Sequence, residues 1–267
     1  MRLVIIDTLE GSASGADYVA LKNSGVHGVI FHAGYGSDVS QKDSGIDEAY
    51  RKAKEAGLLC GAYWFMYARS REDAIAEADA CSQALAGKKC ELGVYYDYEE
   101  DTLAYMDRCS GSKDDMTGRI IAFLERMQEN GWQNIGWYAN PSCIAGKNGA
   151  TALNMNRLAP YPLWIAKYNG NEQTEDPGTD YNGVHIIGHQ FANMDCNPEW
   201  IKGCQNFDTS VFEIDKIEID NDTPEQNFIP SESRPVVDML VNIGGAEQWL
   251  SSLCDPFDMD NESTGYC

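Results

Sequence analysis

A chain of 267 residues, 43% apolar and 10% aromatic, has material for one large core, and an α/β barrel of this length forms a single domain. A net charge of −22 at pH 7 excludes nucleic acid and anionic lipid surfaces as partners, because both need clustered Lys and Arg. No run of about 18 apolar residues occurs, so no membrane insertion is expected.

Short β-branched and aromatic runs alternate with helical patterns, the sign of repeated βα units. Leu3 to Asp7 is the first predicted strand. Met1 and Arg2 lead straight into it, and no secretory segment is visible; the chain is made without one or begins after one. Ala16 to Asn23 suits a short helix closed by Gly25, and Val26 to Ala33 is the second strand. Ile46, Ala49, Tyr50, Ala53 and Ala56 recur at helical spacing, with Gly57 as the C′ residue. Leu58 to Met66 is the third strand. Ser70 reads as an N-cap before a helix whose apolar face runs from Ala74 to Leu85. Leu92 to Tyr98 is the fourth strand, followed by an amphipathic helix over 114–130 with Met116, Ile120, Phe123, Leu124 and Met127 inward. Ile135 to Ala139, Pro162 to Lys167, Val184 to Phe191 and Asn206 to Phe212 supply four more strands. Their near-continuous apolar character fits a parallel sheet covered by helices. About eight strands in βα order predict an irregular parallel (β/α) barrel, TIM-barrel-like, with no clear helix between Tyr168 and Val184.

Beyond Phe212 the pattern breaks. From Glu213 onward the chain holds thirteen acidic and two basic residues, the composition of a solvated acidic tail. Residues 1–213 are assigned to the barrel, 214–234 to an acidic linker and 235–267 to a short C-terminal tail. Nine cysteines include no CxxC pair and no Cys/His cluster of zinc spacing, so no metal is expected. Cys60 reads as a core residue. Cys196 and Cys204 suit either a loop-closing disulfide or two free thiols, which leaves the redox compartment open.

The active site of a parallel barrel lies at the C-terminal ends of its strands. Asp7 ends the first strand, Asp97 and Glu99 end the fourth, and Asp208 sits in the last. Asp97 and Glu99, two apart on a strand, face the same way with Cα atoms roughly 6–7 Å apart. Such a pair suits glycosidic cleavage, in which one carboxyl group protonates the leaving oxygen and another stabilises an oxocarbenium-like state. Crowding raises at least one of their pKa values. Tyr35, Tyr63, Trp64, Trp137, Tyr138, Trp164 and Tyr168 also fall at or near strand ends, where aromatic faces stack on sugar rings. His27 and His185 lie at strand starts and read as structural, whereas His32 and His189 lie near the mouth.

Tyr96-Asp97-Tyr98-Glu99 resembles the Asp-x-Glu strand of the glycoside hydrolase family 25 lysozymes. Residues 29–36 resemble that family's second strand, Gly61-Ala62-Tyr63-Trp64-Phe65 its third, and Gly136-Trp137-Tyr138-Ala139-Asn140 its fifth. Residues 162–168 resemble its sixth strand, and His189-Gln190-Phe191 with 206–212 its closing segment. The ordered set runs from residue 3 to about 213. Departures are Thr8-Leu9-Glu10-Gly11 after Asp7, His32 in place of Lys or Arg, Trp64 in place of His, and His189 in place of Trp.

The resemblance implies a muramidase that cleaves the β-1,4 bond between N-acetylmuramic acid and N-acetylglucosamine, without metal or organic cofactor. Glu99 would be the general acid, and Asp97 would stabilise the N-acetyl group or the developing positive charge. Asp7 and Asp208 would hold the site's electrostatics. Substrate contacts would come from Tyr35, Tyr63, Trp64, Tyr138, Trp164 and Tyr168, with His189 and Gln190. The partner is then peptidoglycan, met by a monomer at the bacterial cell wall after endolysin-type release or secretion with signal removal. The 235–267 tail would be a candidate piece of a wall-binding module. Two alternatives stand beside this reading. A chitinase-like barrel wants Asp-x-Asp-x-Glu, and Tyr95 occupies its first position. A catalytically inactive glycan-binding barrel has no need of a protonatable pair.

Overall fold

The computed structural model describes residues 2–100, 111–168, 179–193 and 207–213. The expected linker and tail lie outside these, as do Cys109, Cys196, Cys204, Cys254 and Cys267.

β1 (Arg2–Thr8), β2 (Gly28–Tyr35), β3 (Leu59–Phe65), β4 (Val94–Tyr98), β5 (Ile135–Ala139) and β6 (Leu163–Ala166) pair in sequence order, all parallel. β7 (Asp180–Tyr181) is a two-residue partner of β8 (Val184–Ala192), which pairs parallel with β6. β9 (Phe207–Glu213) lies between β8 and β1 and runs antiparallel to both, closing an eight-stranded barrel. The predicted barrel is therefore present, with its last strand reversed.

The helices follow their sequence signals closely. α1 (Tyr18–Asn23) and α2 (Ile46–Glu55) precede β2 and β3, and Gly57 takes φ +75° beyond α2, as a C′ residue does. α3 (Arg71–Ala84) is capped by Ser70, whose Oγ accepts from Asp73 N at 3.0 Å, while Asp73 closes a capping box. α4 (Lys113–Glu129) repeats that device with Ser112 and Asp115. Each cap is worth about 1 kcal/mol. Two four-residue helices, α5 (Pro141–Ile144) and α6 (Met155–Leu158), fill the stretch between β5 and β6, where no element was expected.

Strand alternation splits the core into two layers. Leu3, Ile5, Ile30, Tyr95, Trp164, Ile187 and Phe212 fill the barrel interior. Phe31, Trp64, Tyr96, Tyr98 and Trp137 point outward against the apolar faces of the helices, such as Ala74, Ala78 and Cys81 of α3 and Ile120, Phe123 and Leu124 of α4. Cys60 belongs to this outer layer, fully buried, as its apolar strand predicted. A Cβ at Gly188 would overlap the Phe212 ring, so only glycine lets β8 approach the filled interior. Glu77 of α3 is buried in the outer layer and accepts hydrogen bonds from Tyr67 N (3.0 and 3.2 Å) and Tyr96 Oη (2.7 Å).

Candidate active site

The direction of each strand decides which of its ends reaches the upper rim. Asp7 stands near the end of β1, and Asp208 stands near the start of β9, directly opposite in register. Reversal of β9 is thus what brings Asp208 to the rim where the parallel strands end. On β4, Asp97 pairs with Phe65 of β3 and Tyr138 of β5, and Tyr138 pairs with Trp164 of β6. These four side chains form one inward-facing level, with Glu99 one step above Asp97. Asp7, Asp97, Glu99 and Asp208 all line one cleft of about 280 Å³. Its other walls are Tyr63, Tyr138, Trp164, Tyr168 and Gln190, together with Leu9 and Phe65.

Trp164 is the floor. Its ring meets Tyr138 edge-on at 4.6 Å, Tyr95 at 5.4 Å and Tyr63 at 6.4 Å, and its Nε1 donates to Ser210 Oγ at 3.1 Å. Above it a polar chain links β5, β8 and β1, with Tyr168 joining from the exposed rim. Tyr138 and Tyr168 hydroxyls donate to Gln190 Oε1 at 2.8 and 2.7 Å, and Gln190 Nε2 donates to Asp7 Oδ1 at 2.8 Å. Asp7 Oδ2 is buried and has no hydrogen-bond partner. Tyr63 donates to Thr8 O at 2.9 Å, and His32 N donates to Thr8 Oγ1 at 2.9 Å, which pins the end of β1 to its neighbours.

Burial holds the Asp7 carboxyl well above the usual carboxylate range. The charge of Asp208 adds to this, the Gln190 hydrogen bond opposes it, and Glu99 raises it further. Burial likewise raises Tyr63 and Tyr138, with the surrounding acids adding to it, so both phenols remain protonated donors. Tyr168 is raised by the same causes.

Not every residue singled out in the sequence reaches the cleft. Trp64 adjoins Tyr63 on β3 and must face the other way; its ring is fully buried in the outer layer and its Nε1 donates to Gly36 O at 3.0 Å. His189 pairs with outward-facing Ile165 and lies with Nε2 2.8 Å from Lys167 O, whereas Gln190 pairs with inward-facing Ala166. Tyr35 stands at the rim but packs against Tyr67, with ring centroids 5.0 Å apart, and against His32. None of these three lines the cleft: alternation turns Trp64 and His189 to the other side of the sheet, and Tyr35 packs against its aromatic neighbours. Trp137 also faces outward. His32 lies beneath Tyr35 with Nδ1 3.2 Å from Asp43 Oδ2, an interaction internal to the protein. Leu9 and Phe65 were missed, although each stands two residues beyond a recognised site residue and so shares its face. Glu100, next to Glu99, is turned aside to accept from Asn140 Nδ2 at 2.7 Å. Among the described residues, no group of three or more His, Cys, Asp or Glu is arranged to hold a metal ion, and no helix is long and apolar enough to cross a membrane.

An α/β barrel that gathers carboxyl groups over an aromatic floor at one rim defines a barrel of the glycosidase class. The chain belongs to the glycosyl hydrolases of family 25, whose model matches residues 8–200. Among solved structures it is similar to the modular autolysin LytC from Streptococcus pneumoniae in complex with a synthetic peptidoglycan ligand (22% identity, TM-score 0.63, covering 79% of this chain and 47% of that one). It is also similar to the bacterial lysozyme from Streptomyces coelicolor (20%, TM-score 0.61, 79% and 92%) and to the CTP1L endolysin (23%, TM-score 0.60, 80% and 67%). At these identities the likeness shows the fold, and the chain spans about half the length of LytC. No curated protein sequence matches the chain.

Proposed function

We propose that this protein hydrolyses peptidoglycan at the bacterial cell wall, cleaving the β-1,4 bond between N-acetylmuramic acid and N-acetylglucosamine. Glu99 is the general acid that protonates the leaving oxygen. Asp97, one step deeper on the same face of β4, stabilises the acetamido group or the positive charge that develops at the sugar. Tyr63, Tyr138, Trp164 and Tyr168 supply the surface on which the rings rest.

One observation carries the reading. Glu99 and Asp97 line the same cleft as Asp7 and Asp208, while the adjacent Glu100 is tied to Asn140. The LytC complex with a peptidoglycan ligand, on the same fold, supports the choice of glycan. The chitinase-like alternative is weakened by Tyr95. Where that strand wants its first acid, Tyr95 is an interior residue, 2% exposed, donating to Leu92 O at 2.7 Å.

Mass analysis of digested peptidoglycan tests the bond. New reducing ends on muramic acid are expected; released peptides, or reducing ends on glucosamine, would sink the assignment. Glu99→Gln keeps the shape and removes the proton. It should lower kcat by at least about 10²-fold while wall binding persists. Near wild-type lysis by that variant rules out Glu99 as the acid, and wall binding without cleavage by the wild type would mark a glycan-binding barrel.

A further inference from the structure

We propose that Gln190 is a positioning residue that fixes the polarity of the Asp7 carboxyl, so that Asp7 meets the bound sugar as a neutral acid, donating from Oδ2 to an acceptor oxygen of the substrate. The inference rests on the glycosidase reading above and adds a donor to that site.

The orientation of the Gln190 amide follows from its neighbours. Two phenol hydroxyls converge on Oε1, at 2.8 Å from Tyr138 and 2.7 Å from Tyr168, and occupy both of its lone pairs. Turning the amide over would set its NH₂ against two donors. The N–H side therefore faces Asp7, and Nε2 donates to Oδ1 at 2.8 Å. In a neutral carboxyl the carbonyl oxygen is the stronger acceptor, so the Gln190 donor selects Oδ1 as the carbonyl. Any proton on Asp7 sits on Oδ2, which is buried, lacks a hydrogen-bond partner and belongs to a residue of the cleft wall. A buried donor left without a partner is costly, and a substrate oxygen would recover that cost on binding.

The surroundings keep the proton in place. Asp208 faces Asp7 across the β1–β9 register, and Glu99 and Asp97 line the same cleft from β4. Among the described residues, the other polar groups lining the cleft are Gln190, Tyr63, Tyr138 and Tyr168, all uncharged, and none is a Lys or Arg. With Gln190 and Asp7 only 2% and 3% exposed, water does little to screen the arrangement.

A neutral Asp7 of this polarity has the hydrogen-bond pattern of asparagine: an acceptor toward Gln190 and a donor toward the sugar. Asp7→Asn should therefore lose no more than about tenfold in kcat on purified wall glycan. Asp7→Ala should lose about 10²-fold or more, the usual effect of deleting one preorganised donor. Gln190→Glu keeps volume and fold but presents an acceptor to Oδ1, which forces the Asp7 proton onto the wrong oxygen. It should also lose about 10²-fold in kcat, with KM changed less than about threefold. The alkaline limb of the wild-type pH profile should move to higher pH in Asp7→Asn, which a merely structural residue would not cause. Asp7→Asn as inactive as Asp7→Ala, or Gln190→Glu with wild-type kcat, overturns the proposal. If Asp7→Ala does not fold, the comparison of Asp7→Asn with Gln190→Glu decides. A wild-type protein that cleaves no glycan would sink the glycosidase reading instead, so the two failures are distinct.

Discussion

Tyr63 and Trp64 are neighbours in sequence and opposites in role. One faces a cleft lined by four acids; the other lies wholly within the layer between sheet and helices. Trp64→Ala should cost about 3–5 kcal/mol of stability by leaving a cavity. Tyr63→Phe should cost only about 1 kcal/mol, through its hydrogen bond to Thr8 O, while lowering glycan cleavage. Denaturant unfolding beside wall-clearing rates checks both, and a Trp64→Ala protein of wild-type stability would refute the assignment. At this scale the sequence was informative about residue type and less so about facing. Four acids, four aromatic residues and Gln190 were legible as cleft residues. The excess choices, Trp64 and His189, break the rule that adjacent strand residues point to opposite sides. Alternation excludes Trp64 once Tyr63 is placed, but it gives the wrong answer at His189. The register of β8 against β6 slips at Ile187, so outward Val184 and Ile186 are followed by inward Gly188 and Gln190. A bulge of that kind leaves no mark in composition.

At the scale of elements, caps and apolar spacing placed α2, α3, α4 and the strands, whereas strand direction was legible only where a helical crossover could be read. β9 reverses, and its reversal is what delivers Asp208. Glu77, a polar residue on the buried side of α3, is the other feature that periodicity did not reveal. It joins α3 to the turn after β3 through Tyr67 N, and to β4 through Tyr96, whose ring stacks on Phe123 of α4 at 3.8 Å. Burial pushes the Glu77 carboxyl up to about 8, against the opposing hydrogen bonds of Tyr96 and Tyr67. The native state thus holds a proton that the unfolded chain releases near pH 4.5. Stability should fall as pH rises from about 4.5 to about 8, and then level off. Each unit of separation is worth about 1.4 kcal/mol, so the ceiling is a few kcal/mol. Glu77→Gln should flatten this slope and be the more stable protein at pH 8. Parallel pH–stability curves for the two proteins would show that Glu77 is ionised throughout.

Over the whole molecule, charge is the dominant fact. Acids outnumber bases 42 to 20, and the residues proposed to meet substrate add more acid to a cleft whose described lining includes no Lys or Arg. The proposed substrate is itself anionic, since its stem peptides carry carboxylates. Two polyanions approach each other against a field that steers them apart, and that field is screened by salt. The screening length is about 30 Å at 0.01 M ionic strength and about 10 Å at 0.1 M, so repulsion that spans the protein at low salt becomes a contact-range effect. Clearing of intact walls should therefore quicken several-fold between 10 and 150 mM NaCl, through the association step. Short soluble glycan fragments carry far fewer charges than an intact wall, and their cleavage should change less than about twofold over the same range. The comparison separates repulsion from any general effect of salt on the fold, because both substrates meet the same protein. Wall clearing that slows with added salt would mean that a basic surface guides the enzyme to its substrate, contrary to what a net charge of −22 implies.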